Sequence, residues 1–162
     1  MPRLSQLLIR TALLWLAIGY SVGGLVLLNK GVPLLPWLWT LRFTHVHLLL
    51  VGWMVQFAYG VAFWILPRLD ASGARGNERL AWLCYWALNG GVGLAALHDP
   101  VVVAVDGACS LGATLLQTLP VLAGLLYVLS ACAFIAHAWP RVIAFRTLPR
   151  PARSVPTAAD QE

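Results

Sequence analysis

The sequence predicts an all-α integral membrane protein, a four-helix transmembrane bundle, and three observations support this. Of the 162 residues, 60% are hydrophobic and 10% are charged, whereas soluble domains carry about 25% charged residues. Four apolar stretches have the length that crosses about 30 Å of hydrocarbon as a helix. None alternates with the period of two that is typical of barrel strands. The stretches are Leu7–Asn29, Phe43–Leu66, Leu80–Leu97 and Ala108–Trp139.

These spans use most of the chain, so residues 1–146 form one predicted transmembrane domain. The first loop, Lys30–Arg42, holds tryptophans that suit a membrane interface. The second loop, Pro67–Arg79, is polar, and the third, His98–Gly107, is short. We expect residues 147–162 to be a disordered tail, because they are rich in proline and small polar residues. The first apolar run lacks a clear cleavage site, so we expect it to be a retained helix and not a secretion signal.

The distribution of basic residues predicts the orientation. One side of the predicted membrane carries most of the arginines, namely Arg3, Arg10, Arg68, Arg75, Arg79, Arg141, Arg146, Arg150 and Arg153. The other side carries Lys30 and Arg42 together with Asp99 and Asp106. The positive-inside rule therefore predicts that both termini and the tail are cytoplasmic. This asymmetry accounts for the net charge of +5, so we do not expect a nucleic-acid partner.

The pattern of reactive side chains excludes several classes of protein. Cys84, Cys109 and Cys132 are dispersed among apolar residues, with no C-x-x-C pair for a zinc ribbon and no C-x-x-C-H for covalently attached haem. We expect free thiols that pack as small hydrophobic groups. No nucleophilic triad, phosphate-binding loop or pair of catalytic carboxylates can be identified, so enzymatic activity is not predicted.

Four histidines carry the functional argument, since ionisable residues inside spans mark functional sites. His45 and His47 lie in the opening turns of the second predicted span, and His98 lies at the end of the third. In the predicted topology all three are near the outer interface. His137 closes the fourth span near the cytoplasmic face, about one bilayer thickness away, where we expect an interfacial side chain.

Helical geometry separates the first two histidines. Residues two apart project about 200° apart on a helix, so His45 and His47 cannot both ligate one metal or one porphyrin. One faces the bundle interior, and the other faces a second site, a partner subunit or the lipid headgroups.

Glycines lie seven residues deeper in the membrane than two of the histidines. Gly52 follows His45, and Gly91 precedes His98. Seven residues span about 10 Å along a helix, which is comparable to the width of a porphyrin, so these glycines can leave room for a flat macrocycle. Helix packing is the alternative role for glycines in spans, as expected for the Gly19-x-x-x-Gly23 pair of the first span.

The stretch from Arg42 through His45, Gly52 and Gly60 to the run Trp64-Ile65-Leu66-Pro67-Arg68 resembles the second helix of haem–copper oxidase catalytic subunits. The resemblance is closest to the cbb-type oxidase and nitric oxide reductase branch. It implies that His45 binds a low-spin haem b and that Arg42 pairs with a haem propionate. Related short four-helix haem proteins imply a place in the bacterial inner membrane.

The chain also departs from that family. It has far fewer helices and no adjacent histidine pair in a later span, so a complete oxygen- or nitric-oxide-reducing centre is not expected. His98 is our candidate for a second haem ligand from its depth and spacing, and not from the resemblance. His47 can replace His45 as the ligand, bind a metal ion with a partner subunit, or donate to a backbone carbonyl.

The sequence therefore predicts a membrane-bound haem b protein. Two histidine ligands would give an electron carrier, and one would leave an open position for a gas such as nitric oxide or oxygen. One alternative is a cofactor-free accessory or assembly subunit of a respiratory complex. The other is a copper or zinc protein that uses His45 or His47 with His98 and Asp99. Four spans make a thin bundle, so we expect a homodimer.

Overall fold

The computed structural model describes residues 2–33, 35–68, 76–105 and 110–147, and its regular elements are all helical. The α-helices are α1 (Arg3–Gly31), α2 (Leu41–His47), α3 (Gln56–Ile65), α4 (Glu78–Val105) and α5 (Ser110–Thr147). Within the described residues, four helical stretches are long and apolar enough to cross a membrane. These spans 1 to 4 are Arg3–Gly31, Pro36–Ile65, Glu78–Ala104 and Leu116–Ile143. The predicted all-α four-helix bundle is confirmed, and the chain is a multi-pass membrane protein.

Several sequence-based expectations concern residues outside the described ranges. These are the disordered tail beyond Thr147, the middle of the second loop, and Asp106, Gly107 and Cys109 in the third connection.

Span 2 changes its helical form along its length. It begins with a 3-10 turn, Pro36–Trp39, and continues through α2 into a π-helical stretch, Leu48–Val55, before α3 completes it. A π-helix has a wider turn than an α-helix and is frequent at functional sites. The two histidines of span 2 lie just before this stretch.

The helices pack in two pairs that span 2 joins. Span 1 packs along the whole of span 2, and α4 packs against α5, while α2 also contacts α4. We call the end of the bundle where α1 ends and α2 begins the His45 end, and the opposite end the His137 end. A hydrophobic cluster lies at the His137 end and contains Leu4, Leu8, Phe63, Ala81 and Tyr85.

The outward faces carry large apolar side chains, among them Leu27 and Ile65, which are 69% and 68% exposed. Lipid tails are as apolar as these side chains, so their exposure in a bilayer carries little cost. Apolar burial therefore contributes less to this bundle than to a soluble protein, and polar contacts between helices matter more.

Two hydrogen bonds join span 1 to α3. The Ser5 hydroxyl donates to the Gly60 carbonyl at 2.6 Å, and Gln56 Nε2 donates to the Leu8 carbonyl at 3.2 Å. Ser5 and Gln56 are completely buried. Polar side chains that bond across helices act as interhelical contacts in membranes.

A second set of polar contacts joins span 1 to α4. The hydroxyls of Thr11 and Tyr85 lie 3.2 Å apart, and Trp15 Nε1 donates to Asn89 Oδ1 at 2.9 Å. Asn89 also donates to the Tyr85 carbonyl at 2.9 Å. These contacts hold span 1 against both of its neighbours.

A buried arginine closes the end of span 2. Arg141 of α5 is 1% exposed and donates to the carbonyls of Phe63, Leu66 and Pro67, with the Pro67 contact at 2.9 Å. The last carbonyls of a helix lack intrahelical partners and carry partial negative charge. The guanidinium therefore satisfies the end of α3 and ties it to span 4.

His137 supports this arginine and is not the interfacial side chain that we expected. It is 2% exposed, and its Nε2 lies 3.1 Å from Arg141 Nη1. Its Nδ1 lies 3.1 Å from the Asn77 carbonyl, and its ring stacks on Phe63 with centroids 4.4 Å apart. Nε2 accepts from the guanidinium and Nδ1 donates to the carbonyl, so both ring nitrogens of a neutral His137 are used.

The predicted end of span 3 at Leu97 is wrong, because α4 continues to Val105 with Pro100 inside it. Proline lacks the N–H that would bond to the Ala96 carbonyl four residues earlier. Thr44 of α2 places its hydroxyl 3.4 Å from that carbonyl. The Thr44 hydroxyl lies closer to Asp99 Oδ2, at 3.1 Å, and donates its single hydrogen there, so the helix continues through Pro100 with the Ala96 carbonyl only in contact with Thr44.

We expect Arg141→Ala to lower the free energy of unfolding by about 3 kcal/mol, because it leaves buried carbonyls without a charged donor. Denaturation in mixed detergent micelles measures this loss. Arg10→Ala is the matched control, since Arg10 is exposed near the same end of the bundle. Equal stability of the two variants would contradict the conclusion that Arg141 stabilises the end of α3.

Candidate functional site

The two histidines of span 2 face different neighbours. His45 Nδ1 lies 2.8 Å from the Gly19 carbonyl of α1. The His47 ring stacks against Tyr127 of α5, with ring centroids 6.1 Å apart and an interplanar angle of 28°. The prediction that these histidines occupy different faces is confirmed.

The contact with Gly19 defines the chemical form of His45. A carbonyl can only accept, so Nδ1 carries the proton and Nε2 keeps its lone pair in the neutral ring. This hydrogen bond orients the imidazole and makes Nε2 the nitrogen that can bind a metal.

The His45 ring also needs a glycine opposite it. A Cβ atom at Gly23 would lie 2.3 Å from His45 Cε1, which is too close for any side chain. A Cβ at Gly19 would lie 2.6 Å from Leu49 Cδ2. Both glycines of the Gly19-x-x-x-Gly23 pair thus let span 2 approach α1, as the packing interpretation predicts, and Gly23 in addition provides the surface on which His45 lies.

A groove of about 450 Å³ runs along the outside of α1 beside His45, and we call it the His45 groove. Its lining consists of Tyr20, Gly23, Gly24, Val26, Leu27, Lys30, Trp39 and His45. Its volume is in the range of about 300–1,000 Å³ that is typical of ligand pockets. The lining is largely apolar, with one cation at Lys30 and one imidazole.

Arg42 lies one turn before His45 on the same helix and is exposed. Its guanidinium lies 5.3 Å from the centroid of the Phe43 ring. Residues three apart lie on the same side of a helix, so Arg42 and His45 share a side of α2 at the His45 end.

Gly52 and His45 both face α1, and Gly91 and His98 both face α5. An aromatic side chain fills the space beside each glycine. A Cβ at Gly52 would lie 2.9 Å from Trp15 Cγ, and a Cβ at Gly91 would lie 2.7 Å from Tyr127 Cδ1. A macrocycle at either glycine would have to displace an aromatic ring. In the structure both glycines serve helix packing.

His98 is held by the residue that follows it. Its Nδ1 lies 2.9 Å from Asp99 Oδ1, and the Thr44 hydroxyl lies 3.1 Å from Asp99 Oδ2. The side chains of His98 and Asp99 are 28% and 13% exposed. The carboxylate fixes the ring so that Nδ1 donates and Nε2 of the neutral form can accept a hydrogen bond.

A second cavity, of about 390 Å³, lies between α2, α4 and α5, and we call it the His98 cavity. Its lining consists of Phe43, His47, Ala95, His98, Asp99, Pro120, Ala123, Gly124 and Tyr127. The structure thus brings His98 together with His47, while His45 lines the groove on α1. The expected pairing of His45 with His98 on one cofactor is not assembled within one chain.

Among the described residues, no group of three or more His, Cys, Asp or Glu side chains is arranged to hold a metal ion. Cys84 is buried, and its thiol lies 3.4 Å from the Ser130 hydroxyl, while Cys132 is exposed on the bundle surface. The described thiols therefore belong to helix packing and the lipid-facing surface.

Sequence reasoning missed three residues that shape these sites. Thr44 and Tyr127 flank the His98 cavity, and Trp15 occupies the space beside Gly52. Thr44 could have been identified from the sequence, because it precedes His45 and lies on the same helical face as Leu48. The contacts of Trp15 and Tyr127 depend on how the spans pair, which one helix alone does not reveal.

Comparison with known protein families, with curated proteins and with solved structures gives no match for this chain. The resemblance of residues 42–68 to an oxidase helix therefore stays a prediction, and the functional argument depends on the two sites themselves.

Two adjacent glycines on α1 allow a direct test of whether the His45 ring lies against Gly23. We expect Gly23→Ala to destabilise the protein by about 1–3 kcal/mol, because its Cβ would collide with the His45 ring. Gly24→Ala is the matched control, since no atom lies within 4 Å of a Cβ there. Thermal unfolding in detergent measures both variants, and equal melting temperatures would show that His45 does not lie on Gly23.

Proposed function

We propose that this protein is a membrane-bound haem b protein whose His45 supplies the axial ligand in the His45 groove. The observation that carries this proposal is the hydrogen bond from His45 Nδ1 to the Gly19 carbonyl, at 2.8 Å. Because Nδ1 donates to this carbonyl, Nε2 is the ring nitrogen left to ligate iron. Axial histidines of haem proteins are typically held by such an outer hydrogen bond, which fixes the ring and tunes the reduction potential.

The groove suits the remainder of a porphyrin. The His45 ring covers Gly23, but Gly24 presents bare backbone where a Cβ would meet nothing within 4 Å, so a flat ring can lie close to α1 beside Gly24. Lys30 lines the groove, and Arg42 lies one turn before His45. Lys30 is available for a charge-assisted hydrogen bond to a propionate, whereas the Arg42 guanidinium lies over the Phe43 ring and would have to turn toward the groove to bind the other. The apolar wall lowers the local dielectric.

The number of imidazoles in the groove bears on the role of the haem. Among the described residues that line it, His45 is the only histidine. Bound haem supplies one-electron chemistry and, with an open position, gas binding. A single chain therefore favours a gas ligand such as nitric oxide or oxygen. In a homodimer, a second His45 would complete an electron carrier.

The proposal includes a location. The resemblance implies a bacterial inner membrane, and the basic residues favour an orientation with both termini in the cytoplasm, so the His45 groove would lie in the outer half of the bilayer. A redox partner or gas would then reach the haem from the outer side.

A cofactor-free accessory or assembly subunit of a respiratory complex is the second candidate. It is favoured by the fact that His45 already has a backbone partner, which would make it an interhelical contact in its own right. The copper or zinc alternative has less support, because the described residues hold no preformed ligand group.

We expect the protein purified from haem-replete cells to show a Soret band and to change its spectrum on reduction with dithionite. His45→Ala should remove at least nine-tenths of the bound haem, because a single axial bond supplies most of the specific affinity. His47→Ala is the matched control, two residues away on the opposite face, and should keep its haem.

The haem content per folded chain, measured as pyridine haemochrome, distinguishes a variant that has lost the axial histidine from a variant that no longer folds. A colourless wild-type protein would overturn the proposal in favour of the cofactor-free candidate. Loss of haem in His47→Ala but not in His45→Ala would show that the axial ligand is His47, on the other face of span 2.

A further inference from the structure

The polar groups of the His98 cavity define what its ligand must offer. Asp99 Oδ1 accepts from His98 Nδ1 at 2.9 Å, and the Thr44 hydroxyl lies 3.1 Å from Asp99 Oδ2. Both carboxylate oxygens are therefore engaged, so the polar groups left for a ligand include the Tyr127 hydroxyl, which is buried without a partner among the described residues, and the second nitrogen of the His98 ring, Nε2. In the neutral imidazole this nitrogen is an acceptor. A ligand that satisfies it must bring a hydroxyl or another donor.

The walls of the cavity define the rest of the ligand. Phe43, Ala95, Pro120 and Ala123 are apolar, and the stacked rings of His47 and Tyr127 form one side. Flat aromatic molecules stack favourably on such rings. Apolar walls with a few polar groups at one place are typical of small-molecule sites.

The charge of the lining excludes another class of ligand. None of the described residues that line the cavity is Lys or Arg. No cation therefore lines the cavity for a phosphate or carboxylate headgroup, which would meet the Asp99 carboxylate, and the nearby Arg42 guanidinium is exposed and lies over the Phe43 ring. The ligand should be uncharged.

The position of the cavity also restricts the ligand. Its lining residues belong to the membrane-crossing parts of spans 2, 3 and 4. A molecule that dissolves in the bilayer can reach it from the side. The volume of about 390 Å³ lies in the range of small-molecule sites and accommodates a single substituted ring.

We infer that the His98 cavity binds the ring of a membrane quinol, with one ring hydroxyl donating to His98 Nε2. Asp99 is a positioning residue that holds the imidazole in the accepting tautomer, and the stacked pair of His47 and Tyr127 offers an aromatic wall to the quinol ring. This site is separate from the His45 groove and does not depend on whether that groove holds haem.

The test uses the full chain in lipid nanodiscs and decylubiquinol as the probe, kept reduced under nitrogen. Titration calorimetry against empty nanodiscs corrects for partition into lipid. We expect saturable binding of one quinol per chain, and affinity for decylubiquinone about tenfold lower, since the quinone has no hydroxyl to donate. His98→Ala should weaken quinol binding about tenfold and remove this preference.

Two glycines provide a matched pair for the cavity itself. A Cβ at Gly124 or at Gly93 would meet nothing within 4 Å, so both sites tolerate a side chain. Gly124 lines the cavity and Gly93 does not. Gly124→Leu should abolish saturable binding, and Gly93→Leu should leave it unchanged.

Equal binding by the two leucine variants would overturn the proposal, because the quinol would then be elsewhere. Equal affinity for quinol and quinone, unaffected by His98→Ala, would also overturn it and would indicate a cavity filled by lipid acyl chains. Stoichiometric Cu²⁺ binding that requires His47 and His98 and excludes the quinol would reassign the site to a metal ion. None of these outcomes depends on the haem content of the protein.

Discussion

The separation of the two candidate sites in this bundle depends on the spacing of His45 and His47. Side chains two residues apart on a helix project about 200° apart, so the start of span 2 presents one imidazole to α1 and the other to α5. Span 2 thus lies between the His45 groove and the His98 cavity. A histidine pair spaced by three or four residues would have produced one site on one face.

Each imidazole is then oriented by a different acceptor. His45 donates to a backbone carbonyl whose helix approaches closely because Gly23 lacks a side chain. His98 donates to a carboxylate that is itself held by Thr44. A backbone carbonyl fixes the His45 ring with Nε2 left to ligate a metal, whereas the Asp99 carboxylate fixes the His98 ring with Nε2 as an acceptor for a ligand. The first arrangement suits haem ligation, and the second suits exchange of hydrogen bonds with a hydroxylated ligand.

Composition and helical geometry were enough to predict the four-helix membrane bundle and the opposite faces of His45 and His47. Contacts between spans were not predictable in the same way. The space beside Gly52 depends on Trp15, and the helix continues through Pro100 at a place where Thr44 of another span contacts its Ala96 carbonyl. His137 looked interfacial in the sequence, yet it is buried because it supports Arg141 at the end of α3. Each difference arises from a partner that is distant in sequence.

The most direct test of the central claim, that His45 is an axial haem ligand on the α1 face, is chemical rescue. In His45→Gly the imidazole is removed and its space is left open, so free imidazole should enter and restore the haem spectrum. His47→Gly should keep its spectrum without added imidazole, because its ring lies on the other face of span 2. A His45→Gly protein that binds haem normally, or a rescue seen only in His47→Gly, would contradict the account.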